Sequence, residues 1–221
     1  MRILLAAVAT LALSVPALAD YHMDDFSMAP GAQSVQITSP INLNVSAGQI
    51  ILHSAADGDL AVWCLDLTDL LFKPYVFNET VYTGGNLPGL PAGGLDATQR
   101  RQIASLIAFG ATVNPDGDSD AATQLAIWKT EYGGSFSDTN LSVSLGLKVA
   151  LLLADSANGG LIDCPACELH ILSDAVSAPN QAVGFVVVPV PAPLAGAGIP
   201  GILAMLGFGG FSFWKRRKAV G

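Results

Sequence analysis

The sequence predicts an α+β domain, a β-sandwich or barrel with a helical insertion over roughly residues 96–158. Three observations predict it. Apolar residues alternate from Val35 to Val45 and form short strand-like runs up to Leu67, a capped helical period runs from Asp96 to Gly160, and short apolar runs return from Leu169. Strands, then grouped helices, then strands again is an α+β order and not βαβ alternation. With 221 residues, 51% of them hydrophobic, the chain is long enough for one sizeable core.

Residues 1–19 read as a secretory signal peptide. Arg2 gives a positive start, Ile3 to Val15 an apolar core, and Ala17-Leu18-Ala19 a small-x-small cleavage site before Asp20. Residues 20–34 are polar and turn-rich without a period, and read as a flexible arm. From Val35 the apolar residues alternate through Ile37, Ile41, Leu43 and Val45, as half-buried strands do. Ile50-Ile51-Leu52 is a further short strand, Asp57-Gly58 a turn, and Leu60 to Leu67 a buried strand carrying Cys64. Residues 72–95 are rich in Pro, Gly and aromatics and read as strand fragments within loops.

A helix then starts at Asp96, with Gln99 three residues on as its capping box. Ile103, Leu106 and Ile107 form its apolar face, and Gly110 is expected to stop it. A second helix is expected from the cap residues Ser119 and Asp120 to Gly133-Gly134, and a third from about Leu145 to Ala157. Leu169–Ile171 and Val183–Val188 read as closing strands, so the ectodomain spans 35–187. Val188-Pro189-Val190-Pro191-Ala192-Pro193 is a stiff linker.

Residues 194–214 carry no charge, and Lys215-Arg216-Arg217-Lys218 follows at once. As a helix this stretch spans about 31 Å, the thickness of a bilayer core, and the basic cluster keeps 215–221 cytoplasmic. The expectation is an exported body on one transmembrane helix. Between the ends, eighteen acidic residues face five basic ones, a formal balance of −13. That excludes nucleic acid and anionic lipid as partners of the body.

Four constellations invite chemistry. Asp116, Asp118 and Asp120 alternate like a calcium loop, but Ala121 and Ile127 stand where an EF-hand wants Gly and Glu, so a turn and helix cap is the better reading and no metal or cofactor is expected. Cys164 and Cys167 lack the ligand set for zinc and the βαβ setting of a redox pair, and read as a disulfide. That leaves Cys64 unpaired in an oxidising compartment. Cys64 with His53 or His170 is a thiol-hydrolase dyad without a recognisable third member. The fourth is Cys64 with Gln124, a polar amide inside an apolar helix. The two are either ordinary core residues or the ends of an internal thioester, with Trp63, Leu65, Leu125, Ile127 and Trp128 as a water-excluding shell. The start of the helix would then favour thiolate and stabilise the oxyanion.

Trp63-Cys64-Leu65-Asp66 and Ala122-Thr123-Gln124-Leu125-Ala126-Ile127-Trp128 resemble the two hallmarks of bacterial thioester domains, over roughly residues 45–187. The resemblance implies a β-sandwich with a helical subdomain. It implies Cys64 as thiol and Gln124 as acyl donor, and a target amine, typically a lysine, captured as an amide. The chain departs from those adhesins in having no Gram-positive wall-sorting motif. Its tail resembles PEP-CTERM sorting signals of the VPxPAP variety, carried by Val188, Pro189, Pro191, Pro193 and Lys215, Arg216, Arg217, Lys218. That implies a Gram-negative envelope location, an exosortase-type processing enzyme, and an association with biofilm matrix.

The expectation from sequence is therefore a membrane-tethered or sorted surface protein, not an enzyme. It attaches to a surface amine, or to a matrix polysaccharide or protein, through a Cys64–Gln124 thioester. The alternative is a structural envelope or matrix protein of the same fold without the bond.

Overall fold

The computed structural model describes residues 20–86, 90–91, 93–112, 117–161, 167–173 and 181–187. The chain divides into Met1–Val188 and Pro189–Gly221, and the described residues all lie in the first unit. The expected signal peptide, sorting motif, membrane segment and basic tail fall outside them. Among the described residues no helix is long and apolar enough to cross a membrane.

Residues 20–34, expected as a flexible arm, instead hold β1 (Tyr21–Met23) and β2 (Asp25–Met28) and lead into β3 (Gln33–Ser39). These first two strands are too short for a period to show, although Tyr21 and Met23 are buried either side of an exposed His22. β4 (Leu43–Ala47), β5 (Ile50–His53), β6 (Leu60–Cys64) and β7 (Tyr75–Val81) follow. α1 (Ala97–Thr112) and α2 (Gly117–Tyr132) come next, then β8 (Ser137–Thr139), α3 (Val143–Ala157), β9 (Glu168–Ser173) and β10 (Val183–Val187).

Seven strands form one antiparallel sheet in the order β1-β7-β9-β10-β6-β5-β2, and β4-β3-β8 form a second. β1 and β2 occupy opposite edges of the large sheet yet are separated in sequence by Asp24 alone, so the sheet nearly closes into a barrel. Tyr21 ties the seam. Its hydroxyl donates to Leu52 O on β5 (3.2 Å) and to Gly58 O (2.7 Å). Burial and the charges of Asp59, Asp57 and Asp24 push this phenol up to about 12.

The helices lie between β7 and β9 in sequence, as expected. α1 begins with the anticipated capping box: Asp96 Oδ1 accepts from the N–H of Thr98 (2.7 Å) and of Gln99 (2.8 Å), and Gln99 Oε1 accepts from Asp96 N–H (2.9 Å). α1 runs past Gly110, which is therefore no stop signal. A Cβ there would lie 2.4 Å from Trp63 Cζ2, so this glycine is where the helix backbone meets the indole. α2 packs against α1, α3, β3 and β4 and is buried nearly all round, with Ala121, Ala122, Leu125, Ala126 and Ile127 fully buried. It ends at Tyr132, followed by Gly133 in the left-handed region at φ +55. Ser142 caps α3, accepting from Leu145 N–H at 3.1 Å.

Candidate functional site

β6 ends at Cys64, three residues short of the expected Leu67. It is flanked by β5, which pairs Leu60 to Val62, and by β10, which pairs Trp63 and Cys64. Leu65 N–H donates to Ala182 O (3.0 Å) on the β10 side. Backbone groups alternate in direction along a strand, so the N–H and C=O of Cys64 face the other way, toward β5. But β5 starts at Ile50 opposite Val62, and among the described residues no strand reaches Cys64 on that side. A buried backbone pair left there would cost free energy.

Gln124 fills the gap. Its Oε1 accepts from Cys64 N–H at 3.1 Å and its Nε2 donates to Cys64 O at 2.8 Å. The carboxamide thus acts as one residue of an additional strand, and Gln124 is wholly buried. α2 sets its position from further back than expected. The helix starts at Gly117, before Ser119 and Asp120, so Gln124 stands well inside it rather than at its first turn. The backbone N–H groups at this depth are engaged in the helix ladder. The expected role of the helix start as oxyanion donor is therefore corrected: the donor at the carboxamide oxygen is the main-chain N–H of Cys64 itself.

The thiol points elsewhere in this state. Cys64 Sγ donates to Asp66 O at 2.9 Å, and Gln181 Nε2 donates to the same carbonyl at 2.6 Å. Asp66 turns the chain out of β6, its Oδ1 accepting from Thr68 N–H (2.6 Å) and Thr68 Oγ1 (2.7 Å). Burial, then the charges of Glu131 and Asp66, push the Cys64 thiol well above its ordinary value. The Trp128 indole N–H finds no acceptor of hydrogen-bond geometry, but it acts on the sulfur in the opposite sense, favouring thiolate. The expected thiolate-favouring environment is thus reversed overall, because desolvation outweighs that one donor.

All five expected shell residues are buried: Trp63, Leu65, Leu125, Ile127 and Trp128. Trp128 lies one helical turn beyond Gln124 and stacks on Phe136 at 6.3 Å between ring centroids. Cys64 and Trp128 also line a cleft of about 410 Å³, with Phe26, Met28, Leu43, Val45, Leu70 and Phe72 among its apolar walls. Asp69 is its acidic group. Gln124 is not part of its wall, so Cys64 is the member of the pair that the cleft reaches.

Neither histidine considered for a hydrolase dyad is bonded to Cys64. His170 Nδ1 pairs with Glu79 Oε1 at 2.7 Å, and His53 pairs with Asp59 (3.1 Å) and Ser27 (3.0 Å). Asp118 Oδ1 accepts from Gln33 Nε2 at 2.7 Å, and Asp116 lies outside the described residues. Among the described residues no group of three His, Cys, Asp or Glu side chains is arranged to hold a metal ion. Cys64 is a free buried cysteine; Cys164, half of the expected disulfide, lies outside the described residues.

Glu131 was not anticipated. It is 2% exposed, and neither carboxyl oxygen has a hydrogen-bond partner. Burial, then the Asp66 charge, raise its pKa well above the usual carboxylate range. The signal for it was in the helix period: positions 124, 128 and 131 recur at i, i+4 and i+7, one stripe of α2.

No protein-family model and no curated protein matches the chain. Among solved structures it is similar to the N-terminal thioester domain of a surface protein from Clostridium perfringens. The identity is 15% and the TM-score 0.44, over 64% of this chain and 89% of that one. A cysteine-to-alanine mutant of that domain gives 16% and 0.45, over 63% and 88%. The N-terminal thioester domain of fibronectin-binding protein SfbI from Streptococcus pyogenes gives 14% and 0.41, over 75% and 97%.

Proposed function

We propose that Cys64 and Gln124 join as an internal thioester, and that the protein is an exported surface protein using that bond to attach covalently to an amine on a surface or matrix component. The observation that carries this reading is the two-point contact of the Gln124 carboxamide with the main chain of Cys64. It fixes an electrophilic carbon beside a residue whose side chain is a nucleophile. Closure needs Cys64 to turn from the Asp66 carbonyl toward that carbon. The sulfur lone pair then forms the S–C bond, the C–N electron pair leaves with nitrogen, and the thiol proton completes ammonia. Cys64 N–H, already donating to Gln124 Oε1, supports the negative charge that develops there.

A primary amine entering by the apolar cleft would reverse the sequence with a new nitrogen, leaving a stable amide at Gln124. The acidic body favours the approach of cationic amines, with lysine as the natural donor. Each molecule reacts once, so the protein is not an enzyme. Residues 194–214 would tether it, the 188–193 motif would present it to an exosortase-type enzyme in a Gram-negative envelope, and Cys164 and Cys167 would pair with each other.

A structural reading competes on one observation: the same two hydrogen bonds fully satisfy a buried amide without any covalent bond. A biotinylated primary amine separates the two. The thioester reading expects label on the Gln124 peptide, lost in Cys64→Ala. The structural reading expects none in either.

A further inference from the structure

Opening a thioester with an amine moves a proton from nitrogen to sulfur in a place from which water is excluded. Something at Cys64 has to carry it. The groups that face the site from each element packed there are few. From β6 and the turn after it come Cys64, Asp66, whose carboxylate is engaged by Thr68, and Asp69, half-buried on the cleft wall and so in reach of solvent. From α1 the neutral amide of Gln99 donates to the main-chain carbonyls of Thr130 (3.0 Å) and Glu131 (3.1 Å). From α2 come Tyr132, whose hydroxyl accepts from Leu67 N–H at 3.5 Å, and Glu131. Burial and the neighbouring Glu131 raise the Tyr132 phenol far above neutrality, which makes it a poor donor.

Glu131 is the acid enclosed there without a hydrogen-bond partner. It is nine-tenths buried and more, and its two carboxyl oxygens have no partner. It shares one stripe of α2 with Gln124 and with Trp128, which lines the cleft beside Cys64, and the next residue, Tyr132, reaches the main chain of Leu67 just past β6. An unpartnered buried carboxyl is costly to a fold.

Resting on the thioester reading above, we propose that Glu131 carries the proton of the acyl exchange, giving it to the Cys64 sulfur as the thioester opens and taking one back from the incoming amine. The amine lone pair attacks Gln124 Cδ, and the C–S electron pair leaves with sulfur. The Glu131 proton converts that sulfur to thiol. The Glu131 carboxylate then removes the extra proton from the nitrogen. The products are a secondary amide at Gln124 and a free thiol at Cys64, with Glu131 restored.

The test is the rate at which methylamine opens the purified full chain, followed by intact mass and thiol release, at constant free-amine concentration across neutral and alkaline pH. Glu131→Gln should slow opening about tenfold or more, and Glu131→Asp should recover part of the rate. In the natural chain the rate should fall as pH rises through the raised Glu131 pKa, and that fall should vanish in Glu131→Gln. Opening of Glu131→Gln at the natural rate overturns the proposal. If that variant does not fold, the natural chain's own profile decides: a rate that stays level or climbs with pH overturns it equally. A natural chain without any thioester to open removes the earlier reading, a different result from an unchanged rate.

Discussion

Gln124 hydrogen-bonds the main chain of Cys64 at both its N–H (3.1 Å) and its C=O (2.8 Å), taking the place in the ladder that β5 leaves empty. One side chain thereby joins α2 to the end of β6, and its carboxamide is held against a cysteine. This contact has consequences for stability whether or not a covalent bond follows.

Gln124→Ala removes both partners of a buried backbone pair. It should destabilise the fold by about 2–4 kcal/mol, read by urea unfolding. Gln124→Glu can keep both bonds only as the protonated acid, so it should fall between Ala and the natural residue at low pH. It should lose further stability as pH rises and the buried carboxyl is driven to ionise against Cys64 O.

Gly110 holds α1 against Trp63, the neighbour of Cys64 in β6. Gly110→Ala would place a methyl 2.4 Å from the indole, and is expected to cost about 1–3 kcal/mol and shift tryptophan fluorescence. Gly146, inside α3 with open space around it, gives the control: Gly146→Ala should stabilise by about 0.5–1 kcal/mol.

Glu131 binds its proton more tightly in the native state than in the unfolded chain, because burial and Asp66 oppose its charge. Its contribution to stability is therefore complete below the ordinary carboxylate range and lost as pH rises through the raised native pKa. Glu131→Gln should flatten that part of the curve. Melting temperature against pH for the two chains tests this, with the variant's advantage growing toward higher pH.

Cys64 should be a slow thiol once opened. Burial and two acidic neighbours hold it protonated, so alkylation at neutral pH should lag behind that of the unfolded chain by at least about tenfold. A rate equal to that of the unfolded chain would contradict the burial seen here.

What could be read from sequence was what neighbours in sequence decide. The Asp96–Gln99 capping box, the apolar face of α1 and the alternation in β3 and β4 all rest on local spacing. The barrel seam was not legible, because β1 and β2 are too short for a period and their partners β7 and β5 lie far along the chain. Gly110 was misread as a terminator for the same reason: only the fold reveals that Trp63 occupies the space its side chain would need. Cys64 and Gln124 stood out by residue type and by resemblance, whereas their hydrogen bonds and the burial of Glu131 are products of long-range packing.

The intact mass of the purified chain tests the central claim most directly, with Cys64→Ala measured alongside. A thioester expels one ammonia, so the natural chain should weigh about 17 Da less than its sequence requires, beyond any loss at a disulfide, and Cys64→Ala should show no such deficit. A natural chain at its full sequence mass, with Cys64 titrating as a thiol on unfolding, would contradict it.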